Sequence, residues 1–181
     1  MATGPRAAVG RSASWRRPGR RPQQPPATAL PAPISLAATW DRSAAGVYGA
    51  VQGEETRDLA ESLIEAPDVN LACVPENGRT LESCEEDPHL DGQVAVANID
   101  AVQRQGIIAE VKHLAANNQE SSRFTIDELI DDRTLHEMYL PHFEAVVRDA
   151  HAGAVMCAYP RIDGVYSGDN AYLLTDVLRG Q

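Results

Sequence analysis

The chain has 181 residues, room for one ordinary domain, and is 43% hydrophobic, as soluble globular proteins are. Its net charge of −10 is unevenly spread: residues 1–40 hold six Arg and no acid, and the rest holds ten basic residues against 26 acidic ones. So acidic a body is expected to repel nucleic acid and anionic membrane, and no apolar run reaches the roughly 18 residues of a membrane span.

Residues 1–29 form a leader rich in Arg, Pro, Ser, Gly and Ala. Pro5, Pro18, Pro22, Pro25 and Pro26 forbid a long helix there, and disorder is expected. The same abrupt composition also fits a translation artefact. Trp15-Arg16-Arg17-Pro18 is similar to a twin-arginine export signal, but no apolar stretch of about 7–15 residues follows it. A cytoplasmic location is therefore expected. A basic arm for nucleic acid is a further reading of the leader.

From Leu30 the texture changes. The span from Trp40 to about Ile64 predicts a helix, with Asp41 at its start and Ala44, Val47, Tyr48, Val51, Leu59 and Leu63 as its apolar stripe. Val69 to Val74 predicts a buried strand ended by Pro75. A polar loop, Glu76 to His89, leads to a second helix over Leu90–Arg104, with Val94, Ala97, Ile99 and Val102 inward and Gly106 as its stop. Ile107 to Val111 predicts a second strand. After a loop around Asn117 and Asn118, a third helix is expected over Thr134–Ala150. Asp131 or Asp132 would cap it, and Leu135, Met138, Phe143 and Val147 would form one face. Gly153 to Ala158 predicts a third strand, and Asn170 caps a last helix over Ala171–Leu178.

Short apolar strands alternating with helices imply an α/β fold with a parallel sheet. In such sheets the chemistry sits in the loops beyond the C-terminal strand ends. Those ends carry Asn77 to Glu82, Lys112 to Glu120, and Tyr159 to Gly164. Lys112 is the only lysine; the other 15 basic residues are Arg. A lone Lys at a strand end points to a need for a compact three-donor ammonium, and His113 beside it adds a ring donor. Together they suit sugar hydroxyls; a surface Lys and a satisfied core His are the plainer reading. Arg79 is open to two readings, a ligand-binding group or an ion-pair partner of Glu82 or Glu86. Tyr159 and Met156 could line a site or sit in the core. Cys73, Cys84 and Cys157 form no CxxC pair and read as reduced, mostly buried thiols. No metal and no cofactor are expected, and Walker, GxGxxG, HExxH and GxSxG motifs are absent.

Several stretches carry a resemblance: LPAPISLAATWD, PDVNLACVPENGRTLESCEEDPHL, VQRQGIIAEVKHLAANNQE, DDRTLHEMYLPHFEAVVRDAHAGAVMCAYPRIDGV and NAYLLTDVLRG. In their order and spacing they resemble glycoside hydrolase family 3, the β-glucosidase family, from about Leu30 to Gln181. The resemblance implies a partial (β/α)₈ TIM-like barrel over residues 30–181, since a complete barrel takes about 250 residues. It implies a retaining glycosidase acting on a β-linked glucoside or oligosaccharide. It also implies that Arg79, Lys112, His113, Met156 and Tyr159 line the subsite of the glycosyl residue at the cleaved bond. The family's nucleophile, an aspartate in a Ser-Asp-Trp-like segment, lies further beyond the tyrosine than the 22 residues that follow Tyr159 here. The acid/base glutamate lies in a later domain, and a substrate-binding aspartate normally precedes the LPAPI stretch. The expected outcome is a chain inactive alone, which needs a partner chain to complete its sheet; the alternative is a non-catalytic sugar-binding remnant. Leu81 replaces the family's usual aromatic residue, and Pro160 its usual Asn.

Overall fold

The structure, a computed structural model, describes residues 27–180. All but the last three residues of the leader expected over 1–29 lie outside that range. The described chain opens with a short helix, α1 (Pro33–Ala37), and then α2 (Arg42–Asp58). Asp41 caps α2, its carboxylate accepting a hydrogen bond from the Ser43 N–H at 2.7 Å. The buried face of α2 is Ala45, Gly49, Gly53 and Thr56. This corrects the expected stripe of larger residues, of which Val47 is 67% exposed. The cause is close packing on α3 (Pro88–Arg104): a Cβ on Gly49 would stand 3.0 Å from Asn98 Cα. Only small side chains let two helix backbones approach so near.

The helix expected to reach Ile64 stops at Asp58, and Leu63–Ile64 forms strand β1. It pairs in parallel with β2 (Ile108–Leu114). The run from Val69 to Val74, expected as a strand, makes no regular ladder. Its contacts are single ones: Val69 N donates to Lys112 O at 2.7 Å and Ala72 N to Glu85 O at 2.9 Å. Asp68 forms isolated bridges with Ser83 and Lys112. Pro67 has no N–H to give a ladder and contributes only its carbonyl, to Lys112 N.

Gly106, at φ +80°, ends α3 in the left-handed conformation that favours glycine. β2 runs three residues past its expected end, so Lys112 and His113 sit within the strand. Next come β3 (Asp127–Glu128) and α4 (Asp132–Thr134), whose cap is Asp131. The third helix, expected as one piece, is broken into α4, a π-helical turn over Leu135–Tyr139, and α5 (Pro141–Arg148). Pro141 cannot continue the turn before it, and the π turn shifts the helical phase. The buried positions are consequently Leu135, Leu140, Phe143 and Val146, with Met138 exposed. β4 (Ala154–Cys157) follows, then the hairpin β5 (Arg161–Ile162) and β6 (Val165–Tyr166). Asn170 caps the final π-helical turn over Tyr172–Val177 by accepting from Leu173 N at 3.1 Å.

The main sheet has the order β1-β2-β4, all parallel, and a second small sheet has the order β3-β5-β6. Ile99 and Val102 of α3, Ala109 and Val111 of β2, and Phe143 and Val146 of α5 form the continuous core. Among the described residues the main sheet is an open arc, with one free edge at β1 and another at β4. Cys84 is buried as expected, but Cys73 and Cys157 are exposed; all three are free thiols.

Candidate functional site

The C-terminal ends of the parallel strands meet at one charged cluster. Arg79, in the loop that follows the β1 segment, gives Glu82 two hydrogen bonds: Nε to Oε1 at 3.0 Å and Nη2 to Oε2 at 2.8 Å. Lys112 Nζ reaches the same Glu82 Oε2 at 3.5 Å. Arg79 Nη1 lies 3.2 Å from His113 Nε2 and 3.4 Å from Glu120 Oε1. Arg123 Nη1 donates to the other oxygen of Glu120 at 2.8 Å, and its guanidinium stacks 4.8 Å from the centre of the Tyr159 ring. Arg79, Lys112, His113 and Tyr159 are thereby joined through Glu82, Glu120 and Arg123. Met156 sits on β4, half-buried, three residues before Tyr159.

Local sequence explains why these groups converge. Between Val111↔Val155 and Leu114↔Cys157 the chain takes three steps on β2 against two on β4. The pairing is irregular over this stretch, so its side chains need not alternate evenly across the sheet. Lys112 and His113 therefore both serve the cluster despite being neighbours. Gly78 holds φ +97°, and a Cβ there would meet Glu120 Cβ at 3.3 Å. That turn carries Arg79 over the strand ends. Asn77 fixes it from below: its Oδ1 accepts from Arg79 N at 3.1 Å, and its Nδ2 donates to Asn117 O at 3.1 Å.

Asn70 determines the state of His113. Its Oδ1 accepts from His113 N at 3.1 Å and lies 2.8 Å from Nδ1, while its Nδ2 donates to His113 O at 3.1 Å. Nδ1 must then carry the proton, which leaves Nε2 as the acceptor for Arg79. Burial, and then the charges of Arg79 and Lys112, push the His113 pKa down to about 4. The ring is neutral near pH 7, so the 3.4 Å approach of Asp68 Oδ2 to Nδ1 is a contact between a charge and a dipole. Burial pushes Asp68 itself up to about 6. Hydrogen bonding from Arg79 holds the Glu82 carboxyl below the usual range, and Glu82 in turn raises Arg79. Burial pulls Glu120 upward, but Asn117, Arg123 and Arg79 outweigh it and hold it low. Both glutamates are therefore ionised and tied to cations.

An ammonium has three donors, and the structure gives Lys112 one carboxylate, Glu82. Its side chain is 13% exposed. Asp68, Glu82 and Lys112 also line a cavity of about 130 Å³ together with Tyr48, Glu65 and Asn98. A larger apolar groove of about 480 Å³ lies elsewhere, between α5 and the last π-helical turn, lined by Leu140, Phe143, Val147 and Leu178 among others. The described residues contain no group of His, Cys, Asp and Glu arranged to hold a metal ion. None of their helices is long and apolar enough to cross a membrane.

The sequence reading did not single out Glu120, Arg123, Asn70, Asn77 or Asp68. The signal for Glu120 and Arg123 was their distance from Lys112 along one loop. Asn70 lies in a run read for its apolar residues alone, and Asp68 stands just before that run. Arg79 fulfils the plainer of its two readings by pairing with Glu82, and through that pair it also joins the cluster. Tyr159 is 52% exposed and so is no core residue.

A parallel, helix-backed, unclosed sheet with its polar groups at the C-terminal strand ends defines an α/β domain of the partial barrel type. The profile of the Glycosyl hydrolase family 3 N terminal domain matches residues 17–181, and the chain belongs to that family. It is 43% identical over 156 residues to Thermostable beta-glucosidase B of Acetivibrio thermocellus, covering 86% of this chain and 21% of that protein. It is 40% identical over 156 residues to Exo-alpha-(1->6)-L-arabinopyranosidase of Bifidobacterium breve, covering 86% of this chain and 21% of that one. The solved structure of beta-glucosidase 3B from Thermotoga neapolitana in complex with alpha-D-glucose superposes with a TM-score of 0.83 at 40% identity. That match covers 85% of this chain and 22% of the other. The chain thus spans about a fifth of the length of the relatives it matches.

Proposed function

We propose that residues 30–181 are the sugar-gripping part of a β-glucosidase-type hydrolase that cleaves β-linked glucosides with retention of configuration. Lys112 and Arg79 donate to sugar hydroxyls, His113 orients Arg79, and Tyr159 and Met156 line the ring. The observation that carries this reading is the convergence of Arg79 and Lys112 on one carboxylate, with ammonium donors left for a ligand. A sugar ring needs several donors in fixed directions, and donors held by ion pairs and asparagines are already oriented before binding. The names of the relatives support a glycoside substrate. The arabinopyranosidase among them leaves the sugar itself to the pocket's detailed shape.

The retaining mechanism needs a nucleophilic carboxylate and a carboxylic acid with a raised pKa flanking the bond. Glu82 and Glu120 are both held ionised by cations, so neither is the acid and neither is free to attack, and Asp68, whose pKa is raised to about 6, is buried against His113. We therefore expect the 181 residues alone to bind sugar without cleaving it, and a partner chain that covers the free sheet edges to be needed for turnover. Nucleic acid and membrane are not partners in this reading, given the acidic body.

Ligand-observed NMR with methyl β-glucoside tests it. Weak, millimolar-range binding should vanish in Lys112→Ala, and no p-nitrophenol should be released from the aryl glucoside. Binding that survives Lys112→Ala would refute the site. Release of p-nitrophenol by the pure chain would refute the division between grip and chemistry.

A further inference from the structure

Two exposed aromatic rings stand beside the charged cluster. Phe124 is 58% exposed and Tyr159 52%. Their ring centroids lie 4.8 Å apart with the planes inclined at 59°, so the two rings pack directly on each other. The Arg123 guanidinium sits 5.0 Å from the Phe124 ring centre and 4.8 Å from that of Tyr159. The same Arg123 is anchored to Glu120, and Glu120 to Arg79. The aromatic pair is thus continuous with the polar site and shares Tyr159 with it.

The loop that carries Phe124 is held at several points. Thr125 N and Ile126 N both donate to Ser122 O, at 2.8 and 2.9 Å. The Tyr166 hydroxyl donates to Phe124 O at 3.1 Å and receives Arg161 Nη2 at 2.9 Å. Arg161 and Tyr166 belong to the small sheet, so that sheet braces the loop. A large apolar ring on a braced loop needs little ordering when a ligand arrives, so most of its contact energy goes into affinity.

We infer that Phe124, paired with Tyr159, is a specificity residue: it takes the flat, apolar face of an aryl aglycone while the neighbouring cations hold the sugar. The inference rests on the sugar-site reading above and adds the class of leaving group. The charged groups of the cluster suit hydroxyls and offer nothing to an apolar ring. Phe124 is the reverse, with no polar atom in its side chain and more than half its surface open. A ligand spanning both regions must be polar at one end and flat and apolar at the other.

The test compares the affinities of phenyl β-glucoside and methyl β-glucoside for the 181-residue protein by ligand-observed NMR. Aromatic contact should make the phenyl compound about 2- to 10-fold tighter. Phe124→Ala should bring that ratio to about one, with methyl β-glucoside affinity unchanged. Phe124→Tyr should keep the preference and Phe124→Leu lose most of it, and an unchanged circular dichroism spectrum certifies the fold of each variant. A preference that persists in Phe124→Ala, or that the unsubstituted protein never shows, overturns the assignment while leaving the sugar site standing. Failure of methyl β-glucoside to bind at all would instead bring down the sugar site, and this inference with it.

Discussion

Arg79 at the sheet rim and Asp91 in α3 are both ionisable groups taken largely out of water, and the fold treats them in opposite ways. Arg79 is surrounded by partners: Glu82, Glu120 and the bare nitrogen of His113. Asp91 is fully buried, and neither of its oxygens has a hydrogen-bond partner. Its neighbours worsen matters: burial raises its pKa well above the usual carboxylate range, and Asp68 and Glu85 push it further. Close by, burial and then Asp91 raise the Cys84 thiol. His142 on α5 is similar, with an unpartnered Nδ1 and a pKa pushed down to about 3 by burial. At the rim, then, charge is kept and balanced; beneath α3 it is discharged. Balanced charge is what a binding site can use, since its donors stay oriented. A buried polar group left without a partner costs stability instead.

The sharpest way to break this contrast is Arg79→Ala. It leaves Glu82 without its main partner and takes one of several from Glu120, and should cost about 2–3 kcal/mol, the partial exposure of Glu82 keeping it below a fully buried pair. Urea unfolding measures it. Arg79→Lys should recover only part, because an ammonium cannot make the two-point contact with Glu82. A loss near zero would mean the rim is not built in advance of its ligand.

Asp91→Asn tests the other side and should stabilise. The raised pKa of Asp91 means the folded chain keeps a proton that the unfolded chain releases. That contribution is complete below about pH 4 and is lost as pH rises through the raised value. The substituted protein has no such proton to lose. It should gain about 1–3 kcal/mol over the parent at pH 8 and little at pH 4, by urea midpoints at both. His113 and His142 act with the opposite sign, their folded values lying below the usual one, so the variant, which lacks the offset from Asp91, should weaken more than the parent as pH falls from about 6.5 toward 4. A parent whose alkaline stability matches the variant's would show that Asp91 has found a partner.

The smallest effect belongs to a pair that resembles the rim only in its distance. Arg133 and Glu137 lie 2.9 Å apart, but both are well exposed. Glu137→Gln should change the unfolding free energy from urea titration by no more than about 0.5 kcal/mol.

How much of this could be read from the sequence follows the same division. The alternation of strands and helices, the caps at Asp41, Asp131 and Asn170, and the stop at Gly106 were legible because each depends on local chemistry. The lone Lys112 marked the rim because it broke the chain's habit of using Arg. The burial pattern of α2 was not legible: the reading followed large apolar residues, whereas close packing on α3 selects Ala45, Gly49 and Gly53. Nor was β1, since Leu63 and Ile64 continue a helical pattern and only the pairing with Ile108 and Ala109 makes them a strand. Glu82 was legible as a partner for Arg79 three residues away, but Glu120 was hidden among 26 acids, because an ion pair so distant in sequence is decided by three-dimensional neighbours. Asp91 gave no sign at all; it stands in the first turn of a helix, where an acid is ordinarily at ease.

The irregular pairing of β2 has a consequence for anyone transplanting this site. On an evenly paired strand, adjacent residues face opposite ways, so a Lys-His couplet copied into such a host would be divided between its two surfaces. A graft must bring the irregular stretch from Val111 to Leu114 along with its misaligned neighbour, or only half of the couplet will arrive.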